Sequence, residues 1–205
     1  MVSVRGDATQ YEGWCYEGAG IYLHLWLNEY NNTHIVNDGV FVYSNVQKNN
    51  AEINIETTIE NQNLFSTSCT VSLIVTDRNG KIIGQTKEQP IQLNINENKI
   101  VKQKIIVTDP KLWSIEDPYL YRVTSLIKSE GKIIDNKTNR FGIRTIEIKA
   151  TGVFLTGRYV QIKGTNNDQD HGGLGGALPD YLQYNRLSLL KEMGAKDNRT
   201  GKDAT

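Results

Sequence analysis

The stretch AEINIETTIE, residues 51–60, alternates apolar and polar side chains with a period of two. That period predicts a β-strand with one buried face and one solvated face. Similar runs, rich in β-branched and aromatic residues, occur at 35–43, 70–76, 81–86, 99–108, 119–128 and 132–148. The turn signals DRNGK (77–81) and SEGK (129–132) predict hairpin loops between strands. Seven such strands over residues 35–148 predict an antiparallel β-sandwich of immunoglobulin-like size, although the chain lacks the Cys-Trp-Cys pattern of true immunoglobulin domains.

Composition excludes several classes of partner. The 205 residues carry 23 Lys and Arg against 23 Asp and Glu, so the charge balance favours neither nucleic acid nor an acidic membrane as a partner. No run approaches the roughly twenty apolar residues of a membrane span, and MVSVRGDATQYEG (1–13) lacks the apolar centre of a signal peptide. The sequence therefore predicts a soluble chain and leaves its compartment open. The two cysteines form neither a disulfide framework nor a metal knuckle, and they are interpreted as small buried apolar residues.

The pattern changes after residue 150. YVQIKGTN (159–166) predicts a short strand, and LPDYLQYNRLSLLKEMGA (178–195) predicts an amphipathic helix that Pro179 starts and Gly194 ends. The apolar face of that helix would contain Leu182, Leu189, Leu190 and Met193. A strand followed by a helix is one βα unit, which cannot bury its own faces. GIYLHLWL (20–27) raises the same problem, because it predicts a single strand of a sheet whose other strands are absent.

Four motifs, taken together, resemble β-galactosidase-type members of glycoside hydrolase family 2. They are WCYEGAGIYLHLWL (14–27), LWSIEDPYLY (112–121), FGIRTIEI (141–148) and VQIKGTNNDQDHGGLGGALPD (160–180). The resemblance implies three parts in order: the end of a sugar-binding jelly roll at 1–34, an immunoglobulin-like β-sandwich at 35–148, and the start of a truncated TIM barrel at 149–205. In this arrangement Trp113 is interpreted as a packing anchor of the sandwich.

The family resemblance implies exo-hydrolysis of β-linked sugars with retention of configuration. Retaining hydrolysis needs two carboxyl groups about 5 to 5.5 Å apart, one as nucleophile and one as acid/base. In the family both are glutamates of later barrel strands, which this sequence does not contain. The pairs Asn28-Glu29 and Asn96-Glu97 match the family's Asn-Glu dipeptide, but they lie at a strand end and in a turn and are interpreted as chance matches. No catalytic residue is assigned, and the chain alone is predicted to be inactive.

The same resemblance predicts supporting sugar contacts. The polar loop after the first barrel strand would present Asn166, Asp168, Asp170 and His171 to a sugar subsite, since active-site groups lie at the carboxyl ends of barrel strands. Asp168 replaces the family's histidine, which changes both charge and hydrogen-bond sense. Trp14 would approach the sugar from the jelly roll or close that domain's core, the two alternatives being left open.

The end of the sequence departs from the family. In MGAKDNRTGKDAT, Arg199 and Thr200 match the family signature and Arg199 is expected near the sugar, but Gly201 and Lys202 replace Ser and His. AKDN (195–198) is predicted to be a poor barrel strand, because strands buried on both faces are continuously apolar. The sequence therefore predicts a truncated or decayed end.

Other functions fit the sequence less well. A metal site built on Asp168, Asp170 and His171 is disfavoured, because adjacent side chains of an extended strand point to opposite sides. GGLGG (172–176) lacks the ending of a phosphate loop and is interpreted as a flexible turn, so no cofactor is predicted. The partner implied by the resemblance is a β-linked sugar bound by the parent enzyme, and a homo-oligomer is possible. The rival function is a non-enzymatic β-sandwich that binds carbohydrate or another partner, which an exposed aromatic platform would favour.

Overall fold

The computed structural model describes residues 3–6, 21, 24–167 and 171–200. The chain divides into two compact units. The larger is Asn28–Val160, and the smaller combines Met1–Leu27 with Gln161–Thr205.

The larger unit consists of eleven strands. In chain order they are β1 Thr33–Gln47, β2 Asn50–Asn61, β3 Thr67–Thr76, β4 Ile82–Gln85, β5 Gln89–Leu93, β6 Asn98–Thr108, β7 Tyr121–Ser129, β8 Lys132–Phe141, β9 Ile146–Lys149, β10 Gly152–Leu155 and β11 Arg158–Val160. One sheet has the order β1-β2-β6, and the second has the order β4-β3-β7-β8 with β5 also pairing with β3. Strands β9 to β11 form a separate small sheet, and all these pairings are antiparallel. The predicted mainly-β, immunoglobulin-like sandwich is confirmed.

The apolar set of residues 51–60 faces the core. Ile53, Ile55 and Ile59 are at most 1% exposed. Ile53 and Ile55 pack in a core cluster with Leu73 and Val123 of the second sheet, and Ile59 packs in another with Val71 and Ile127. Full burial of one such aliphatic side chain is worth about 1.5–3 kcal/mol, so alternation along a few strands suffices to bring the two sheets together.

The predicted hairpins are present. Asp77 closes the DRNGK loop by accepting hydrogen bonds at Oδ1 from the amides of Asn79 (2.8 Å) and Lys81 (2.9 Å). In SEGK, Glu130 (φ 50°) and Gly131 (φ 76°) are both left-handed, as a two-residue hairpin turn with native strand twist requires.

Three strand predictions were wrong or incomplete. β5 was not predicted, because Pro90 and its polar neighbours hide a strand that lies at the sheet edge, where proline is tolerated. The single strand predicted at 132–148 is two strands, β8 and β9, which belong to different sheets. In the stretch 20–27, none of the described residues is in a strand; Trp26 and Leu27 there are 76% and 93% exposed, so their apolar character reflects no local burial.

Trp113 lies against the segment that separates β8 from β9. Its amide donates to the carbonyl of Ile143 (2.9 Å), and the Arg144 guanidinium carbon lies 4.4 Å from the centre of its ring. A Cβ added at Gly142 would come within 2.7 Å of the indole, so the glycine is what lets Trp113 approach the backbone. The contacts support the interpretation of Trp113 as a packing anchor.

β1 and β8 lie side by side where the two sheets meet, and this boundary is called the β1–β8 seam. Asp135 Oδ2 accepts a hydrogen bond from the Ile35 amide (2.7 Å). The Ser44 hydroxyl donates to the Arg144 carbonyl (2.8 Å) and accepts from the Arg144 amide (3.0 Å). Side chains therefore bond to backbone across the seam in place of a strand-to-strand ladder.

The smaller unit contains one parallel β-α-β unit: β12 Gly164–Asn167, α1 Asp180–Glu192 and β13 Asp197–Thr200. AKDN, predicted to be a poor strand, is half in a strand: Asp197 and Asn198 begin β13, which pairs with β12 along its whole length, while 195–196 precede the strand. A continuously apolar sequence is needed only where both faces are covered, and Gly164, Asn166 and Asp197 are exposed. One β-α-β unit does not define a barrel, so the TIM barrel stays a prediction.

Helix α1 is shorter than predicted, and the residues on its less exposed face differ from those predicted. Leu182 and Leu190 are partly buried, as expected for the apolar face. Leu189 and Met193, however, are 51% and 79% exposed, so that part of the predicted face was wrong. No helix in the described ranges is long and apolar enough to cross a bilayer.

Candidate functional site

The carboxyl ends of β12 and β13 bring two predicted sugar contacts together. Because the strands are parallel, both end at the same edge of the pair, and Asn166 lies in register with Arg199. The Lys163 carbonyl accepts from the amides of Lys196 (2.7 Å) and Asp197 (3.3 Å), which fixes this register at its start. We call the carboxyl end of the pair, with the loop that follows β12, the β12–β13 edge.

His171 follows β12 in a tightly hydrogen-bonded turn. Its carbonyl accepts from the amides of Leu174 (3.0 Å) and Gly175 (2.9 Å), and its own amide donates to the Gly175 carbonyl (3.1 Å). Gly173 (φ 83°) and Gly175 (φ 60°) are left-handed, a conformation that glycine adopts without steric cost. The GGLGG segment is thus a defined turn, and the His171 side chain is exposed.

A contact that sequence reasoning missed joins the two chain segments of the smaller unit. His24 Nε2 lies 3.0 Å from Asp180 Oδ2, and the His24 ring centroid is 5.7 Å from that of Trp26. Asp180 is the first residue of α1, where a carboxylate also interacts favourably with the helix dipole. The two residues are 156 positions apart, so no local pattern could have revealed the pair.

Three of the predicted sugar contacts, Trp14, Asp168 and Asp170, lie outside the described residues. The metal hypothesis depended on two of them. Within the ranges that are described, no group of three or more His, Cys, Asp or Glu side chains is placed to hold a metal ion.

Of the two Asn-Glu pairs, Asn96-Glu97 lies in a turn as expected, whereas Asn28-Glu29 is not at the end of a strand. Glu97 belongs to the turn between β5 and β6, where its carboxylate accepts a hydrogen bond from the Asn94 amide (2.6 Å). Asn96 is left-handed (φ 54°), as asparagine often is in turns. Glu29 is exposed in the segment that precedes β1. Turn formation accounts for the Glu97 carboxylate without any catalytic role.

Comparison with known proteins identifies the family. The model of the Glycosyl hydrolases family 2 matches residues 33–144, more than half of the chain and nearly all of the two-sheet sandwich, so the chain belongs to that family. It is 31% identical to the beta-galactosidase BoGH2A of Bacteroides ovatus over 97% of this chain and 24% of the relative. It is 29% identical to a beta-glucuronidase of Formosa agariphila over 87% of this chain and 18% of that protein.

The fold agrees with solved family structures. A glycosyl hydrolase family 2 member from Bacteroides cellulosilyticus superimposes with a TM-score of 0.85 at 30% identity, covering 92% of this chain and 26% of that chain. The resemblance inferred from the four motifs is therefore confirmed. The chain spans about a quarter of the length of the first relatives that it matches.

Proposed function

We propose that these 205 residues are part of a retaining exo-β-glycosidase of the β-galactosidase type. The observation that carries the proposal is the family match across the sandwich, combined with the register of β12 and β13 that places Asn166 beside Arg199. In this proposal residues 1–34 end a sugar-binding domain, 35–148 form the immunoglobulin-like domain, and 149–205 begin the catalytic barrel. The sandwich acts as a spacer that fixes the sugar-binding domain against the barrel.

The β12–β13 edge would supply sugar contacts and no acid/base chemistry. An asparagine amide both donates and accepts hydrogen bonds, and an arginine donates several in a fixed plane, so the two can hold sugar hydroxyls. His171, Asp168, Asp170 and Trp14 would complete the contacts. Loss of one contact made in the transition state costs rate without abolishing the reaction.

We further propose that the 205-residue chain alone does not hydrolyse glycosides. Retaining hydrolysis needs a nucleophile and an acid/base on opposite sides of the bond. Acid/base help alone is worth about 10² to 10⁴ in rate, and the β12–β13 edge contacts cannot replace it. Incubation with aryl β-galactoside, β-glucuronide and β-mannoside should match buffer. Turnover that disappears in Glu29→Gln or Glu97→Gln would show that an Asn-Glu pair is catalytic after all.

A chimaera tests the positive half of the proposal. The 205 residues would replace the matching quarter of the Bacteroides ovatus beta-galactosidase, to which 97% of the chain aligns. We expect aryl β-galactoside hydrolysis, with kcat/KM lowered about tenfold or more by Asn166→Ala or Arg199→Ala, a loss of about 1.4 kcal/mol of transition-state stabilisation.

The matched control is Asn136→Ala, an exposed asparagine on β8 whose removal should leave kcat/KM unchanged. Thermal unfolding of each chimaera would separate misfolding from loss of a sugar contact. A chimaera that folds with the stability of its parent and shows no activity, or one that tolerates both edge substitutions, contradicts the proposal.

One observation favours the rival function as a second candidate. Phe41 and Tyr43 are 62% and 43% exposed on one face of β1, which is the kind of aromatic platform that carbohydrate-binding modules use. If the folded chimaera is inactive while the chain alone binds sugar, the carbohydrate-binding module becomes the better account.

A further inference from the structure

A groove runs beside the β1–β8 seam, wholly within the larger unit. Its volume is about 660 Å³, within the 300–1,000 Å³ range of small-ligand sites. The polar and aromatic residues that line it include Phe41, Tyr43, Asn45, Arg140, Arg144 and Thr145. We call it the seam groove.

One wall of the seam groove is aromatic. Phe41 and Tyr43 are two residues apart on β1, so their side chains leave the same face of the strand. Their ring centroids are 5.6 Å apart with the planes tilted by 35°. Both rings keep a large exposed surface and are therefore accessible to a ligand in the groove. Aromatic faces of this kind suit the apolar C–H faces of pyranose rings.

The groove also carries uncompensated positive charge. Arg140 and Arg144 line it, and none of its lining residues within the described ranges is an aspartate or a glutamate. Arg144 is stacked over the ring of Trp113. The nearest carboxylate to the aromatic wall in register is Glu56, opposite Phe41, and it is already paired with Lys102 at 2.9 Å.

Arg140 is in an unfavourable position unless an anion is nearby. It lies directly opposite Arg122 in the β7–β8 ladder, and like charges in that arrangement repel. Arg122 Nη1 donates to the Arg78 carbonyl at 3.4 Å, and among the described residues no carboxylate forms a salt bridge with either arginine of the pair. A bound carboxylate would remove the repulsion and accept two parallel hydrogen bonds from the guanidinium.

We propose that the seam groove binds an acidic oligosaccharide, with Phe41 and Tyr43 stacking on its pyranose rings and Arg140 pairing with a uronate carboxylate. Asn45 and Thr145 supply hydrogen-bonding groups for hydroxyls at the same groove. Binding here needs no catalytic carboxylate, so the site does not depend on the hydrolytic function proposed above. A glycan held at the seam groove would raise the local concentration of its own chain ends around the protein.

Isothermal titration of the 205-residue chain with trigalacturonate tests the proposal, with neutral galactotriose and sodium sulfate as comparison ligands. We expect saturable binding of trigalacturonate that is at least about tenfold tighter than binding of galactotriose. Sulfate alone should bind no more tightly than galactotriose, because it offers nothing to the aromatic wall. Tyr43→Ala and Arg140→Gln should each weaken trigalacturonate binding by about tenfold or more.

Two matched variants control for a loss of trigalacturonate affinity that any removed aromatic ring or arginine would cause. Phe65→Ala removes an aromatic ring that is 64% exposed, close to the 62% of Phe41, but that does not line the groove. Arg158→Gln removes an exposed strand arginine from the small sheet. Both should leave the affinity within twofold. Equal binding of the acidic and neutral trisaccharides, an effect of the controls as large as that of Tyr43→Ala and Arg140→Gln, or no saturable binding would overturn the proposal.

Discussion

Asn61, at the end of β2, ties three segments of the sandwich together through one fully buried side chain. Its Nδ2 donates to the carbonyls of Phe65 (3.0 Å) and Asn94 (2.9 Å), in the loops before β3 and before β6. Its Oδ1 accepts from Thr33 Oγ1 (3.2 Å) at the start of β1 and from the Asn63 amide (3.1 Å). Asn63 has the same amide group, but its Nδ2 is directed to Thr33, Asn61 and Thr67, so the two carbonyls depend on Asn61.

Replacing Asn61 by alanine should destabilise the larger unit by about 2–4 kcal/mol. An unmet buried hydrogen-bonding group costs about 1–3 kcal/mol, and two carbonyls lose their donor together. Phe65 and Asn94 are exposed residues, so water can reach part of each carbonyl, which places the sum below its upper limit. Against a total stability of about 5–15 kcal/mol the loss is large.

Urea unfolding followed by far-ultraviolet circular dichroism measures the change, from the shift in midpoint at constant slope. Asn61→Asp keeps the shape and the Oδ1 acceptor but replaces the Nδ2 donor with a second oxygen and sets a negative charge beside two carbonyls, so it should cost at least as much as alanine. Asn136→Ala, at an exposed position, should stay within about 0.5 kcal/mol of wild type. A loss below about 0.5 kcal/mol for both Asn61 variants would refute the assigned role of the hydrogen bonds.

Three further outcomes follow from other contacts. Gly142→Ala should lower the free energy of unfolding by about 1–3 kcal/mol, because the new Cβ would lie 2.7 Å from Trp113; unchanged urea midpoints would contradict this. Burial raises the pKa of the Cys69 thiol. Alkylation of Cys69 at mildly alkaline pH should therefore be about 10² slower in native protein than in urea, as measured by peptide mass spectrometry. Equal alkylation rates in the two states would contradict this. Hydrogen bonds from Lys128 and Thr70 lower the pKa of Glu88. The stability difference between wild type and Lys128→Met should therefore be present above the ordinary pKa of the carboxyl group and vanish as the pH falls through the lowered pKa. A stability difference that persists in strong acid would exclude the Glu88 carboxylate as its source.

Much of the sandwich was predictable because alternation along a strand is a local signal. The stretch 51–60 became β2 almost residue for residue, and the turn at Glu130 and Gly131 followed from its glycine. The strand predictions that failed concern segments that become strands only because a neighbouring strand lies beside them in space. β5 is a strand because β3 offers it hydrogen bonds, and β13 is a strand because β12 does, although neither sequence has a strand-like composition.

The candidate site also has features that the local sequence indicates and contacts that only the fold creates. The composition of residues 163–173 indicated a polar loop, but the proximity of Asn166 and Arg199 depends on parallel pairing that the sequence of β13 gave reason to doubt. The His24–Asp180 pair has no local signal at all. The seam groove is another case, because its aromatic wall and its arginine come from strands of different sheets.

The hydrogen bonds across the β1–β8 seam also bear on how the protein behaves at high concentration. An edge strand usually leaves a row of free amides and carbonyls that can pair with a strand of another molecule, the first step of ordered aggregation. At the seam the Ile35 amide is occupied by Asp135, and both backbone groups of Arg144 are occupied by Ser44. An incoming strand would have to displace these intramolecular bonds before it gained any of its own. At these positions polar side chains oppose edge-to-edge association, and the break in the β1 ladder between Ile35 and Val40 adds a bulge, a second device that discourages strand addition.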